Sequence, residues 1–375
     1  MISVETVYDI LIKNGIDLFT GVPDSLLKDF CAYIHDNTSR EKNIIAANEG
    51  AAIAIAVGHY LATKNIPLVY MQNSGIGNAV NPLLSLADEK VYKIPILLVI
   101  GWRGEPNTKD EPQHKKQGAV TLDMLNVMKI PYSVIETDEH IAAKQLEKLL
   151  SNIKVNGYPH AAVIRKNTFS TYVLKSKIEN NFEMSREYAL QTVINSLKEK
   201  DVTISTTGKL SRELFEYREK TKARHSNDFL TVGSMGHSSS IALGIALNKP
   251  DRNVYCLDGD GALIMHTGAI AATGALKPKN YRHIVFNNGS HESVGGQPTV
   301  AFGMNLPQTA LSCGYKTALS VSTCKELESV LSEFGNMPSP AFLEIKVNTK
   351  SRADLGRPTT TTYENKEQFI NNLQQ

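Results

Sequence analysis

Short apolar runs alternate with longer amphipathic stretches, and this alternation limits the possible folds more than any other feature of the chain. In the first half, the apolar runs occupy residues 17–20, 67–71, 94–101, 132–136 and 161–165. Between these runs, apolar residues recur every three or four positions at 24–34, 49–63, 78–88, 122–128 and 140–153. Buried strands that alternate with helices predict a parallel sheet with helices on both faces.

The same rhythm restarts after a polar stretch at residues 167–184. An amphipathic helix is predicted at 185–200, and further helices at 209–220, 239–247, 262–275 and 324–334. Strands are predicted at 202–205, 229–232, 254–257, 283–287, 318–321 and 341–347. We therefore predict an α/β chain with two domains, 1–170 and 185–375, joined by a linker at 171–184. The halves share no residue-level repeat, so any kinship between them is architectural.

Length and charge exclude several classes of protein. The 375 residues suit two domains, since a domain typically has about 100–200 residues. Forty Lys and Arg against 38 Asp and Glu leave a net charge of +2, and we expect no nucleic-acid partner because such proteins carry a strongly basic face. The longest apolar run is far shorter than the roughly 20 residues that span a bilayer, so we expect no membrane partner.

The amino-terminal residues and the cysteines favour a cytoplasmic protein. No basic segment followed by an apolar segment opens the chain, so no secretory signal is expected. The cysteines form no C-x-x-C pair and are too widely spaced for a zinc site or a disulfide framework. We interpret them as buried apolar side chains in a reducing compartment; they are Cys31, Cys256, Cys313 and Cys324.

A Gly-Asp-Gly motif marks the end of one predicted strand and the start of a helix, at Gly259, Asp260, Gly261 and Ala262. Glycines there let backbone N–H groups approach an anion at a helix N-terminus. The next apolar strand ends at Asn287-Asn288. Asp260, the amide oxygen of Asn288 and a backbone carbonyl near Ser290 then offer hard oxygen ligands for Mg²⁺. Gly-Asp-Gly alone would also suit a tight turn with an Asx hydrogen bond.

The two motifs together resemble the diphosphate- and magnesium-binding motif of thiamine-diphosphate enzymes. Asn48-Glu49-Gly50-Ala51-Ala52 is similar to the segment with the family's glutamate, and Gly233-Ser-Met235-Gly to the segment beneath the cofactor. The resemblance implies a pyrimidine-binding domain at 1–170 and a diphosphate-binding domain at 185–375. Its implied cofactors are thiamine diphosphate and Mg²⁺, with Thr207 and Gly208 reaching the diphosphate from the other side.

Three segments narrow the resemblance to phosphonopyruvate decarboxylases, with sulfopyruvate decarboxylases as close relatives; they are 102–106, 110–118 and 288–299. The implied enzyme is a carboxy-lyase. It converts 3-phosphonopyruvate to phosphonoacetaldehyde and CO₂ in phosphonate biosynthesis, through attack of the cofactor ylid on the 2-oxo carbon. The alternative is a sulfopyruvate decarboxylase or another 2-oxo acid decarboxylase of the family.

The resemblance also implies catalytic roles. Glu49 would hydrogen-bond the aminopyrimidine ring and promote its imino tautomer. His114 would transfer a proton or hold the substrate anion, because an imidazole titrates near neutrality. Many related enzymes have a glutamate where this chain has Val294, and Glu292 is the candidate for a related role.

A phosphonate beside a carboxylate requires cationic or N–H donors. Arg103 and Lys115, in a polar loop predicted at 101–118, are candidates, together with Ser25, His114 and His291. Alternatives stay open, since charged loop residues are commonly only solvated and Ser25 would also suit a helix N-cap.

Two other classes of protein agree less well with the sequence. A nicotinamide dehydrogenase is disfavoured because Val80 replaces the third glycine after Gly75 and Gly77, and Leu97 stands where an acid is expected. A non-catalytic binding protein is disfavoured by the intact glutamate, aspartate and asparagine described above.

The resemblance further implies the quaternary structure. In the family, the two domains that share one cofactor come from different subunits. We therefore expect at least a homodimer, with its active site at the subunit interface.

Overall fold

The computed structural model describes residues 1–177 and 179–375, which form two compact units. The first unit comprises Met1–Lys177 together with His291–Gln297, and the second comprises the other described residues. The division falls within the stretch interpreted as a linker, of which residue 178 lies outside the described residues. The domain limits 1–170 and 185–375 stay a prediction.

The first unit is built on one sheet of six parallel strands. They are β1 (Phe19–Gly21), β2 (Asn43–Ile45), β3 (Leu68–Gln72), β4 (Leu97–Gly101), β5 (Tyr132–Ile135) and β6 (His160–Ile164). Their order across the sheet is β2-β1-β3-β4-β6-β5. Leu68 and Tyr70 pack into one apolar cluster, whereas Val69 and Met71 pack into another. Because side chains alternate along a strand, these clusters lie on opposite faces of the sheet.

Helices cover both faces of this sheet. They are α1 (Val4–Lys13), α2 (Lys28–Asn37), α3 (Glu49–Thr63), α4 (Ile76–Pro82), α5 (Pro112–Val127) and α6 (Glu139–Asn156). Buried residues of α1, α2 and α6 share a cluster with Leu68, and those of α3, α4 and α5 share a cluster with Val69. Because helices cover both faces of this sheet, both faces are apolar. This explains why its strands do not alternate between polar and apolar residues.

The second unit repeats this architecture. Its strands are β7 (Val202–Ser205), β8 (Asp228–Leu230), β9 (Val254–Gly259), β10 (Tyr281–Asn287), β11 (Thr317–Val321) and β12 (Ala341–Lys346). All pair in parallel, in the order β11-β12-β10-β9-β7-β8. Counted from the first strand of each unit, both sheets have the order 2-1-3-4-6-5. The predicted fold class is therefore confirmed.

Eight helices accompany the second sheet in the described chain. They are α7 (Arg186–Ser196), α8 (Lys209–Thr221), α9 (Ser238–Asn248), α10 (Asp260–Met265), α11 (Ala269–Leu276), α12 (Leu306–Ser312), α13 (Cys324–Phe334) and α14 (Thr362–Leu373). Helix α14 supports the edge strand β8, because Asn365 donates to the carbonyl of Asp228 and accepts from the N–H of Leu230. The carboxyl-terminal helix therefore satisfies backbone groups that an edge strand would leave open.

The structure corrects two secondary-structure expectations that bear on the candidate site. Residues 101–118 were expected to be a polar loop, but α5 begins at Pro112, a residue suited to the first helical position. His114 and Lys115 therefore lie on a helix. The helix expected at 262–275 is divided into α10 and α11, with His266 in a non-helical conformation between them. Elements α1, β2, α12 and α14 were not predicted.

The described helices include none that is both long and apolar enough to cross a membrane. All four cysteines are free thiols. Cys31 and Cys256 are buried as predicted, whereas Cys313 and Cys324 are only partly buried, contrary to the prediction.

The strand order determines where each sheet can bind a ligand. In both sheets the order reverses beside the first strand, between β1 and β3 and between β7 and β9. Parallel sheets bind ligands at the carboxyl ends of the strands at such a reversal. The segments that follow β1, β3 and β4, and those that follow β7, β9 and β10, therefore lie at the ligand-binding edges of the two sheets.

Candidate active site

The Gly-Asp-Gly motif forms the turn from β9 into α10. Asp260 is the first residue of α10 and is only 3% exposed. Its Oδ2 accepts a hydrogen bond from Thr299 Oγ1 at 2.5 Å. Burial raises the pKa of Asp260 to about 6, while hydrogen bonds from Thr299 and from backbone N–H groups, including that of Asn288, oppose the increase. The turn therefore holds a buried carboxyl group that a cation could stabilise in its ionised form.

Asn287 and Asn288 have different functions at the end of β10. Asn287 supports the loop, since its Nδ2 donates to Glu344 Oε1 at 2.7 Å and its Oδ1 accepts from the N–H of Gly289. Asn288 is 5% exposed, and its Oδ1 accepts from the N–H of Ser290 at 3.0 Å. Strands β9 and β10 pair so that Phe286 lies opposite Gly259. Both loops therefore leave the sheet at the same level, which brings Asn288 beside Asp260.

The loops after β7 and β8 meet at this edge of the sheet. Thr207 Oγ1 accepts from the N–H of Gly233 at 3.0 Å, and Gly208, the N-cap residue of α8, has a φ of 102°. Met235 is half-buried. A Cβ atom on the following residue, Gly236, would lie 2.8 Å from the carbonyl oxygen of Ala262. The segment of Met235 therefore packs directly against α10.

The second unit thus brings together the sequence-predicted diphosphate and metal residues that lie within it. These are Thr207, Gly208, Met235, Gly259, Asp260, Gly261, Ala262, Asn288 and Ser290. Thr206 Oγ1 is buried here and has no hydrogen-bond partner among the described residues. Oxygen atoms of carboxyl, amide and carbonyl groups suit a hard cation. The glycine-rich backbone suits the diphosphate that such a cation would bind. The donor set therefore fits the cofactor and metal that the resemblance implies.

Glu49 is fixed on the first turn of α3 in the first unit. Asn48 caps this helix by accepting from the N–H of Ala51 at 2.9 Å. Glu49 is 5% exposed, and Asn78 Nδ2 donates to its Oε2 at 2.7 Å. A Cβ atom on Gly75 would lie 2.2 Å from Glu49 Oε1. The loop after β3 therefore holds the Glu49 carboxyl group in one position, unlike a glutamate on an exposed first turn.

Arg103 and Ser25 come together at the carboxyl edge of the first sheet. Arg103 binds Asp110 through Nε at 2.9 Å and donates from its NH1 group to Ser25 Oγ at 2.7 Å. Burial opposes ionisation of Asp110, but hydrogen bonds from Arg103 and the backbone hold the pKa of Asp110 well below its usual range. The N-cap of α2 is Leu27. Ser25 therefore serves the arginine rather than capping the helix.

Asp24 is a buried acid that the sequence reasoning did not select. It is completely buried and accepts from Gln72 Nε2 at 2.7 Å and from the N–H of Leu26 at 2.9 Å. Burial raises the pKa of Asp24 to about 6, against the effects of backbone hydrogen bonds and of Arg103. The sequence signal that could have identified Asp24 was its position beside Ser25, in the loop that follows β1. Asp110, Gln72, Asn78 and Thr299 are further residues that were missed.

His114 lies on the first turn of α5, and its Nδ1 is buried without a hydrogen-bond partner among the described residues. Burial, and then the charge of Arg103, lower the pKa of His114. Both effects favour the neutral form of the imidazole. Lys115, on the same turn, is exposed.

His291 and Glu292 belong to a short segment that the division assigns to the first unit. The structure does not group them with Asn288 and Ser290, which immediately precede them. Glu292 begins a 3₁₀ turn that ends at Val294. Burial lowers the pKa of His291 to about 4, so its ring is neutral.

Two family models match this chain, one in each half. The model for "Thiamine pyrophosphate enzyme, N-terminal TPP binding domain" matches residues 1–125. The model for "Thiamine pyrophosphate enzyme, C-terminal TPP binding domain" matches residues 206–345. Glu49 and Arg103 lie in the first match, and Asp260 and Asn288 lie in the second.

Relatives of similar length are decarboxylases. A phosphonopyruvate decarboxylase of Streptomyces viridochromogenes is 31% identical, over 95% of this chain and 91% of the relative. A second, from Streptomyces hygroscopicus, is 29% identical over 98% of this chain and 93% of the relative. A sulfopyruvate decarboxylase of Methanosarcina acetivorans is 27% identical over 91% of this chain and 90% of the relative.

Together the two matched domains span both halves of the chain, and the full-length relatives match across both halves. The chain belongs to the thiamine-diphosphate-dependent enzymes and is a carboxy-lyase that decarboxylates a 2-oxo acid.

Proposed function

We propose that this enzyme decarboxylates 3-phosphonopyruvate to phosphonoacetaldehyde and CO₂, with thiamine diphosphate and Mg²⁺, as a step in phosphonate biosynthesis. The observation that carries the proposal is the 31% identity to a phosphonopyruvate decarboxylase over nearly the full length of both chains. Sulfopyruvate decarboxylation is the second candidate, because a relative with that activity also spans most of the chain.

The second unit would hold the cofactor and its metal. Asp260, Asn288 and a carbonyl near Ser290 would bind Mg²⁺, and the loops containing Thr207 and Gly259 would bind the diphosphate through Gly208, Gly261 and Ala262. Met235 would support the bent cofactor. Bound thiamine diphosphate would supply the carbon nucleophile and would accept the electron pair that stays behind when CO₂ leaves.

The first unit would supply proton transfer and substrate recognition. Glu49 would exchange a proton with the aminopyrimidine, because Asn78 and Gly75 fix its carboxyl group. His114, with a free ring nitrogen, would move a proton or bind the substrate anion. Ser25 Oγ accepts from Arg103, so its own hydroxyl proton would donate to an anionic substrate oxygen. The roles of Lys115, His291 and Glu292 stay predictions.

The assembly would be at least a homodimer, with each active site at the subunit interface. The support is that Glu49 lies in one unit whereas Asp260 and Asn288 lie in the other. In the family that the sequence resembles, these domains come from different subunits.

Substrate preference tests the proposed activity. We expect CO₂ release to be strongest from 3-phosphonopyruvate, weaker from sulfopyruvate and weakest from pyruvate, and to require thiamine diphosphate and Mg²⁺. Pyruvate should be weakest because the cationic and hydroxyl groups near Arg103 complement a charged group on the third carbon, which pyruvate lacks. The expected preference for phosphonopyruvate over sulfopyruvate follows from the 31% identity to a phosphonopyruvate decarboxylase. Preferred turnover of sulfopyruvate would select the second candidate, and absence of turnover on all three would contradict both.

Replacement of Glu49 by Gln tests its proton-transfer function. We expect the Glu49→Gln variant to bind thiamine diphosphate within a few-fold of wild type but to lose at least about a hundredfold in kcat, the usual scale for general acid–base catalysis. Calorimetry and steady-state kinetics measure the two quantities. Glu139→Gln, which alters an exposed first-turn glutamate of α6, is the matched control and should leave both unchanged. Wild-type kcat in Glu49→Gln would contradict the assignment.

The pH dependence of Mg²⁺ binding tests the Asp260 ligand. A cation binds the ionised carboxylate, and the pKa of Asp260 is about 6 in the folded protein. Below that pH a proton competes, so affinity should fall about tenfold per pH unit and level off above it. Titration calorimetry with thiamine diphosphate present, at pH 5 to 8, measures this dependence.

Asp260→Asn should bind Mg²⁺ weakly at every pH in this range. Asp251→Asn, an exposed aspartate in the same unit, should retain the wild-type profile. An unchanged Mg²⁺ affinity in Asp260→Asn would remove this residue from the ligand set.

Mixing two inactive variants tests the shared site. Glu49→Gln and Asp260→Asn subunits, unfolded and refolded together, should recover about a quarter of wild-type turnover if random pairing in a two-fold dimer leaves one intact site per hybrid. Each variant refolded alone should stay inactive. A mixture without recovery, when wild type refolds to full activity, would place each site within one chain.

A further inference from the structure

Gln297 has a buried amide without hydrogen-bond partners. The residue is 1% exposed, and neither its Oε1 nor its Nε2 has a partner among the described residues. Buried polar side-chain atoms in native proteins are nearly always hydrogen-bonded, so an exception requires an explanation. An amide that lacks both a donor and an acceptor partner is suited to a ligand that supplies both.

The backbone around Gln297 is well fixed, so the side chain has a defined position. The carbonyl of Gln297 accepts from the N–H of His291 at 2.8 Å. Ser290 and Pro298 form an antiparallel bridge, and the N–H of Thr299 donates to the carbonyl of Gly289 at 2.9 Å. The segment is therefore a closed loop, and it offers the side-chain amide of Gln297 no hydrogen-bond partner.

The turn before Gln297 leaves space for its amide. Gly295 has a φ of 136°, and a Cβ atom there would lie 2.7 Å from Gln297 Oε1 and 2.8 Å from Nε2. A residue with a side chain at position 295 would displace the amide of Gln297. Its backbone would also be strained at this φ. The loop also continues directly into Thr299, whose hydroxyl donates to Asp260. Gln297 is therefore two residues from a group that holds the candidate metal ligand.

We infer that Gln297 is a substrate-binding residue whose amide recognises the anionic group on the third carbon of the 2-oxo acid. The inference rests on the proposed function. Nε2 donates to an anionic oxygen, and Oε1 accepts from a protonated one. A phosphonate that retains one proton offers both kinds of oxygen, whereas a sulfonate offers acceptors only. Gln297 therefore favours a phosphonate over a sulfonate, because the sulfonate leaves Oε1 unpaired.

Binding of unreactive substrate analogues tests this inference without relying on turnover. The probes are 3-phosphonopropanoate and 3-sulfopropanoate, which lack the 2-oxo group, titrated calorimetrically into enzyme loaded with thiamine diphosphate and Mg²⁺. We expect wild type to bind the phosphonate more tightly. Gln297→Leu should lose about tenfold or more in phosphonate affinity and most of its preference over the sulfonate, as expected for removal of hydrogen bonds to a charged group.

Thermal unfolding separates a ligand-binding amide from a structural one. Gln297→Leu should have an unchanged or higher Tm without ligand, because an apolar side chain of similar size replaces a buried, unpaired amide. Gln145→Leu is the matched control, since Gln145 donates to the carbonyl of Val134 and accepts from the N–H of Glu136. This control should have a lower Tm and unchanged probe affinity. Gln297→Glu should also bind the probes weakly, through repulsion between like charges.

Three results would overturn the inference. One is wild-type phosphonate affinity in Gln297→Leu, and the second is failure of the wild-type enzyme to bind the phosphonate probe. The third is a loss in Gln297→Leu that is matched by an equal loss of thiamine diphosphate affinity, which would assign the amide to the cofactor. Probe binding without turnover of 3-phosphonopyruvate would instead contradict the proposed function, while the Gln297 variants would still test the amide.

Discussion

The parallel pairing of β9 with β10 is the interaction on which the diphosphate half of the site depends. Phe286 lies opposite Gly259 in this register, so the two strands end at the same level and their loops leave the sheet side by side. A shift of one residue would turn each side chain to the other face of the sheet. Burial of Leu257 and Ile284 in one cluster and of Cys256 and Val285 in another prevents such a shift. The apolar core therefore determines the distance between Asp260 and Asn288.

Buried acids at the carboxyl edges of the two sheets are a second common feature. Asp24 and Asp260 both have pKa values raised to about 6 by burial. Each acid is nevertheless held by a side-chain donor, Gln72 for Asp24 and Thr299 for Asp260. Such groups reduce the stability of the protein alone, and ligands that bind there recover part of the loss. Asp24 and Asp260 each lie just after a strand that borders a strand-order reversal, where parallel sheets bind ligands.

The two units share a strand order without sharing a recognisable sequence repeat. Alternation of apolar strands and amphipathic helices is sufficient to specify this architecture, and many sequences satisfy it. The loops carry the chemical difference between the units. A fixed glutamate and an arginine network follow the strands of the first sheet, whereas a metal-type donor set follows those of the second. Similar folds with different loops can thus carry different chemical groups.

The sequence alone determined the fold class, the Gly-Asp-Gly and Asn-Asn motifs and several element limits. Helix α3 spans Glu49–Thr63 as predicted, because an Asn cap and a continuous apolar run are local signals. Only the tertiary structure decided which distant residues complete the site. Gln72 is 48 residues from Asp24 and Thr299 is 39 from Asp260. The unpaired amide of Gln297 is likewise defined by its burial. Local patterns specify secondary structure, but hydrogen bonds and burial between distant segments exist only once the sheets have formed.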